Sequence, residues 1–381
     1  MRTVDTGPRR PWARTLILGA VVALAAAAAP VARAAALVVG QVAPLTGVEA
    51  TQGRAFAAGL QIAFSQFNTA GGAAGHTLAL VSRDDGSRPD DTVAETRALL
   101  AEQRPLALAG YFGTRSITAL VESGVLDKEK IPLVGYRALQ LAAVSPQLFT
   151  VRAGLPEQIA KIMQHLATMG IARVAVFMEA GPQAAGVQAV IAQAAEAQKI
   201  QVVATALQPA EMKLKPAVTL IRAAQPQAVL LLASVASAAF VETFRSEGGG
   251  AQIFATSDID VEQLAKRLGD EQLAGISIAQ VTPNPHKLST RLARDFQQAR
   301  KAAKVELPAS HAMMEGYVAG RVLSEAVRRA GANPTRESVT RAIESIDRLD
   351  LGDYVVGFKP GENRGSRYVD LSIVSGGQLR Q

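Results

Sequence analysis

The 381-residue chain contains no cysteine. That excludes disulfides, a thiol nucleophile, thiolate metal ligands and a lipid carried on a processed N-terminal cysteine. Aromatic residues make up only 4% of the chain, and the single tryptophan, Trp12, falls in its first segment. A sugar site walled by aromatic rings is therefore not expected. Four histidines, His76, His165, His286 and His311, are scattered with no two at i, i+4 spacing, so no zinc or histidine-based catalytic grouping is read. Neither a nucleophile elbow nor a phosphate-binding P-loop occurs. No cofactor, metal or catalytic residue is expected. Excess charge of one sign is scarce too. Of the formal +7, the five arginines and one aspartate of residues 1–34 contribute +4, and the remainder carries +3. That is an ordinary surface, and nucleic acid is not expected as a partner.

What is present begins with a basic stretch, Arg2, Arg9, Arg10 and Arg14, followed by an unbroken apolar run from Leu16 to Ala29. Pro30 breaks the run, and Ala32-Arg33-Ala34 supplies small residues at a cleavage position. This order reads as a secretory signal peptide over residues 1–34. The run falls short of the ~20 apolar residues that a membrane anchor needs. With no later apolar run of that length and no cysteine, the processed chain is expected to be soluble, periplasmic, untethered by lipid and monomeric.

From Leu37 onward, short apolar runs alternate with helix-period segments. Strands are expected at Leu37 to Ala43, Leu78 to Ser82, Leu106 to Gly110 and Ile131 to Gly135. Helices are expected at Gly53 to Asn68, from Pro89, and at Ser116 to Ser123. The first helix places Phe56, Leu60, Ala63, Phe64 and Phe67 on one stripe. The rhythm restarts after Arg152, with strands at Arg173 to Met178, Gln201 to Ala206, Ala228 to Ala233 and Gln252 to Ala255. The tail adds helices around Leu292, at Ser310 to Ala330 and near Arg336 to Ile346, then strands at Tyr354 to Phe358 and Val369 to Ser375. Nearly all-apolar strands between helices indicate parallel sheets covered on both faces. The expected fold class is α/β, with two doubly wound lobes.

Several stretches together resemble the branched-chain amino-acid-binding (leucine/isoleucine/valine-binding-like) periplasmic proteins of ABC transporters. They are Pro44-Leu45-Thr46-Gly47, Gly53, Gly59, Asn68, Gly71-Gly72, Gly75, Asp84-Asp85, Ile131-Pro132-Leu133, Phe149-Thr150-Val151-Arg152 and Glu315-Gly316-Tyr317. The resemblance implies two lobes joined by three crossings that close on a ligand in the cleft. It places 36–152 and 281–350 in the first lobe and 153–280 and 351–381 in the second, with hinges near Arg152, Gln280 and Leu351. It implies a small-molecule ligand, an ABC permease as partner, and binding without turnover. A sensor for a separate signalling partner and, more remotely, an exported hydrolase remain as alternatives.

Ligands of open α/β sheets lie at the carboxyl ends of the strands, where helix N-termini present free N–H groups. The loops 44–52, 111–116 and 135–138 qualify, and they bring Thr46, Phe112, Gly113, Thr114 and Arg137 forward as candidates. By the resemblance, Gln52, Thr114, Ala138 and Leu139 line the pocket for the ligand's carboxylate and amine. On the second lobe the matching positions are Gln183, Ser234, Ser257 and Asp258. Ser234 stands where an aromatic is usual, and the loop Glu179 to Gln183 lacks one too. Leu139 replaces a hydroxyl residue. This pocket is expected to hold a small organic acid in preference to a standard branched-chain amino acid, with Asp258 the residue able to restore amine recognition.

Some of these residues carry competing readings. Arg115 and Arg137 could grip a carboxylate with a planar fork or stand as solvated loop arginines. Thr114 and Ser116 could be ligand donors or only helix caps. Asp84-Asp85 reads as structural, and Gly71 to Gly75 as a helix stop and turn.

Overall fold

The computed structural model describes residues 1–5, 7, 36–141, 144–259, 264–265, 267–359, 361–375 and 378–380. The chain divides into two units, Met1–Ala35 and Ala36–Gln381. The expected signal peptide falls in the first unit, where only residues 1–5 and 7 are described, so it lies outside the described residues almost entirely.

The second unit is built on two sheets. The first takes β1 (Leu37–Ala43), β2 (Leu78–Asp84), β3 (Ala107–Ala109), β4 (Leu133–Val134) and β5 (Leu148–Phe149) in the order β2-β1-β3-β4-β5, all parallel. The second takes β6 (Arg173–Met178), β7 (Gln201–Leu207), β8 (Ala228–Leu232), β9 (Gln252–Ala255) and β10 (Ile276–Gln280), followed by β13 (Asp370–Ser375) and β14 (Gln378–Arg380). Its order is β14-β13-β10-β9-β8-β6-β7. In their parallel parts the two sheets share one doubly wound topology. The first strand of each set lies between the second and the third, so successive connections leave in opposite directions and open a crevice. These switch points fall between β1 and β3 and between β6 and β8.

The strands are apolar because helices cover both faces. All five residues of β8 are buried, and separate core clusters lie on the two sides of the second sheet. The sequence-based expectation of parallel sheets needs one correction: β13 pairs antiparallel with β10, and β14 antiparallel with β13. A further strand, β10, was not anticipated. Its run ISIAQ is interrupted by Ser277 and Gln280, yet all five residues are buried between β9 and β13.

Two 20-residue helices, α1 (Ala50–Thr69) and α11 (His311–Ala330), clamp one face of the first sheet. They meet at glycines. A Cβ on Gly59 would lie 2.0 Å from the Met313 carbonyl oxygen, and one on Gly316 would lie 2.1 Å from that of Phe56. The backbones therefore touch where any side chain would collide. Between them run α2 (Pro89–Gln103), α3 (Thr114–Glu122), α4 (Val125–Glu129), α5 (Leu155–Thr168), α6 (Ala184–Ala197), α7 (Lys215–Ala223), α8 (Ser237–Ser246), α9 (Asp270–Leu273) and α10 (Arg291–Ala302). The helix α12 (Arg336–Glu344) follows α11.

The chain passes from the first sheet to the second after β5, returns after β10, and crosses a third time before β13. The last crossing departs from the expected hinge at Leu351. The short pair β11 (Leu349–Asp350) and β12 (Val355–Val356) stays with the first sheet. Leu351, Tyr354, Val356 and Phe358 sit in its core cluster, and Phe358 meets Phe149 edge-on at 5.6 Å. Tyr354 donates its hydroxyl to the Val151 carbonyl at 2.6 Å, and Thr150 bridges Arg364. Apolar residues recurring along 351–358 bury against β5 and hold this stretch back until the chain joins β13.

Candidate functional site

The two switch points face each other across a cleft of about 450 Å³. The first sheet contributes Glu49, Gln52 and Ser87, the 113–116 turn, and Arg137, Ala138 and Leu139. The second contributes Glu179, Ser234, Thr256 and Asp258, with Met212 and Val235 on the wall. Most of the expected residues are thus brought together: Gln52, Gly113, Thr114, Arg137, Ala138, Leu139, Ser234 and Asp258 all line the cleft.

Gly113 precedes α3 with φ +87°, a left-handed conformation that glycine adopts without strain. It turns the chain so that the first turn of α3 ends at the cleft, where its amides lack intrahelical acceptors and favour an anion. The Thr114 hydroxyl accepts the Leu139 amide at 3.1 Å, which ties this turn to the loop after β4.

The two loop arginines, Arg137 and Arg115, stand in different surroundings, and Arg137 is the buried one. It is 5% exposed, whereas Arg115 lies in the open. Its guanidinium stands over the Phe112 ring at 5.3 Å, donates to Gln52 Oε1, and reaches across to donate to the Ser257 carbonyl. Arg152 sits beside it, donating to Ser257 Oγ and pairing with Asp258 Oδ1 at 3.2 Å. Ser257 in turn donates through its amide and hydroxyl to Gln158 Oε1, at 2.9 and 3.0 Å.

Four expected residues lie outside the lining, each for a local reason. The exposed Thr46 is engaged with Asp84. Its hydroxyl donates to Oδ2 at 2.6 Å, and its amide and that of Leu45 donate to Oδ1. Burial pushes Asp84 up, but those bonds and the Gly86 amide outweigh it and hold its pKa at about 2. Phe112 is buried edge-on to Phe56, beneath Arg137. Gln183 is buried at the start of α6, with its side chain folded back over Gly181. Ser257 faces the arginines.

The sequence reading passed over two carboxylates. Glu49, just before α1, accepts from Ser87 Oγ and, across the cleft, from Ser234 Oγ, both at 2.9 Å. Glu179, the residue after β6, accepts the Ser234 amide at 3.1 Å. Burial pushes the Glu179 carboxyl up; the Ser234 amide pulls it back, while the charges of Glu49 and Asp258 raise it further. A signal for both was available: each follows the switch-point strand of its sheet. The cleft thus holds two arginines and three carboxylates, Glu49, Glu179 and Asp258. It can receive an anionic and a cationic group at once.

The family described as "Periplasmic binding protein" matches residues 36–378. The chain belongs to the periplasmic binding protein family. This bears out the resemblance read from the sequence, and with it the two-lobed α/β architecture of type I periplasmic binding proteins. A substrate-binding periplasmic protein from Ralstonia solanacearum is 34% identical over 89% of this chain and 98% of that one, with a TM-score of 0.80. A possible leucine/isoleucine/valine-binding protein from Rhodopirellula baltica shares the fold, with a TM-score of 0.83 at 22% identity, over 91% of this chain and 96% of that one. An "Amino acid binding protein" from Pseudomonas aeruginosa is 30% identical over 112 residues, 29% of this chain; the match spans 28% of that relative's length. Family and neighbours alike are substrate-binding proteins.

Proposed function

We propose that this periplasmic binding protein captures a small amino-acid-like ligand by closure of its two lobes and delivers it to an ABC permease. It acts in the periplasm and releases the ligand unchanged. The observation that carries the ligand class is the opposed charge of the cleft lining: Arg115, Arg137 and the start of α3 on one lobe, Glu179 and Asp258 on the other. The ligand's carboxylate docks on the first lobe, where the α3 amides and arginines complement it. Its ammonium is met by Glu179 and Asp258 as the second lobe swings in, with Glu49 exchanging its bond to Ser234 for one to the ligand. A small apolar side chain packs among Leu139, Leu232, Met212 and Val235. This reading departs from the organic-acid expectation because Glu49 and Glu179 supply the amine-reading charge that the sequence comparison found missing. Residues 36–350 and 351–366 without 153–280 make up the first lobe in this reading, and 153–280 with 370–380 the second.

The test is thermal unfolding and calorimetry of residues 36–381 with leucine and valine, and with their deaminated carboxylates. A ligand at a hundred times its Kd adds about 2.7 kcal/mol of stability. The amino acids should raise the melting temperature and the deaminated acids should not. Binding of the deaminated acids alone would overturn the amine assignment in favour of an organic acid. Silence from both sets would remove small amino acids from the ligand class.

A further inference from the structure

Behind the cleft floor, Arg137 and Asp258 of the cleft join Glu315 and Arg152, which the ligand reading does not use, in a cluster of four charged side chains. Glu315, in α11, is 1% exposed, and among the described residues neither of its carboxylate oxygens has a hydrogen-bond donor. Its Oε2 stands 3.6 Å from Arg137 Nε and 3.6 Å from Arg152 Nη1. Among the described residues, Arg137 Nε and Asp258 Oδ2 are likewise buried without a hydrogen-bond partner. An unbonded buried carboxylate is costly, because it has lost its water and gained no N–H in return. What compensates Glu315 is the charge of two guanidiniums, neither at hydrogen-bonding distance from it.

Those two guanidiniums also link the lobes. Arg137 leaves the loop after β4 and ends on the Ser257 carbonyl. Arg152 leaves the first crossing and ends on Ser257 Oγ and Asp258. Burial disfavours the Arg152 charge, but Glu315 and Asp258 outweigh it and hold its pKa above the ordinary arginine value. The Ser257–Asp258 turn follows β9 of the second sheet, whereas Glu315 belongs to a helix of the first. One carboxylate on the first lobe therefore aims two cations at one turn on the second.

We propose that Glu315 is a positioning residue for closure, and that Glu315, Arg137 and Arg152 form a buried clasp that grips the Ser257–Asp258 turn when the lobes meet. Without the Glu315 charge, two buried guanidiniums would share one site with only Asp258 to offset them. The cheapest relief is separation of the lobes, which lets water reach both cations. The clasp thus sets how much of the population is closed before any ligand arrives, and a ligand's apparent affinity scales with that fraction. This inference rests on the closing cleft proposed above, but not on the identity of the ligand.

The absence of cysteine makes a direct measurement clean. Cysteines introduced by Arg88→Cys and Glu211→Cys, at exposed positions flanking the cleft mouth, carry spin labels for distance measurement. The distribution is recorded without ligand, and again with leucine as the probe. Glu315→Gln keeps the shape and removes the charge. The expected result is a ligand-free distribution shifted to longer distances, with the closed fraction reduced by about tenfold or more. Where leucine binds, its dissociation should be faster by a similar factor with little change in association. A closed fraction and dissociation rate within about twofold of the unaltered protein would overturn the clasp. If Glu315→Gln does not fold, Ser257→Ala removes only the hydroxyl that Arg152 grips. It should shift the ligand-free distances in the same direction, and an unchanged distribution would equally overturn the proposal. If leucine does not bind at all, the ligand-free distances still decide on the clasp, while the amino-acid reading fails separately.

Discussion

His311 begins α11 one helical turn before Glu315, with Nδ1 3.0 Å from the Thr282 hydroxyl and Nε2 buried without a hydrogen-bond partner among the described residues. Burial, reinforced by the charges of Arg137 and His286, pushes its pKa down to about 3. The unfolded chain takes up this proton near pH 6.5, and the native protein only near 3. Between those values the unfolded state binds more protons, so stability falls as the pH drops through that window. Between pH 7 and 5 this one group should cost about 1–2 kcal/mol. Urea unfolding at both values should show His311→Gln losing less stability than the unaltered protein by roughly that amount. In the cleft, Glu179→Gln should weaken leucine binding by about 10–100-fold, as expected for loss of a charge-assisted bond. Calorimetry with the deaminated acids should show no binding before or after the same change. Single residues were the least legible scale. Thr46 and Ser257 have the right chemistry for ligand contact, but a neighbour claims each hydroxyl. Glu49 and Glu179 are ordinary acids in the sequence, and only their places after the switch-point strands make them part of a site.

Among the elements, glycine separates close approach from mere flexibility. Gly316→Ala drives a methyl into the Phe56 carbonyl of α1 and should cost about 1–3 kcal/mol in denaturant unfolding, as overpacking does. Gly186, in the first turn of α6, has only Gln140 Cγ near the place of a Cβ, at 4.0 Å. Gly186→Ala should therefore leave stability unchanged or raise it by about 0.5 kcal/mol. Helices and parallel strands were readable because period and burial coincide. The apolar stripe of α1 and the run AVLLL of β8 could hardly be anything else. The failures have a common cause. β10 carries two polar residues and is still buried, between β9 and the antiparallel β13, and the 351–358 stretch buries its apolar residues against β5. Both depend on partners far along the chain, which local pattern does not report.

For the molecule as a whole, ligand capture should reduce the radius of gyration in small-angle scattering; an unchanged value at saturation would count against closure. The interlaced path of the chain has a different consequence, for how the protein comes into being. The face of α1 that carries Phe56 and Leu60 is covered by α11, and Tyr317 of α11 donates its hydroxyl to Gln66 of α1, 251 positions away. The first half of the chain to be synthesised thus cannot complete its own interior until nearly all the rest exists. Contacts of such long range must await the closing of very large loops, which delays folding. The late pairing of α1 with α11 supplies that delay from within the fold itself.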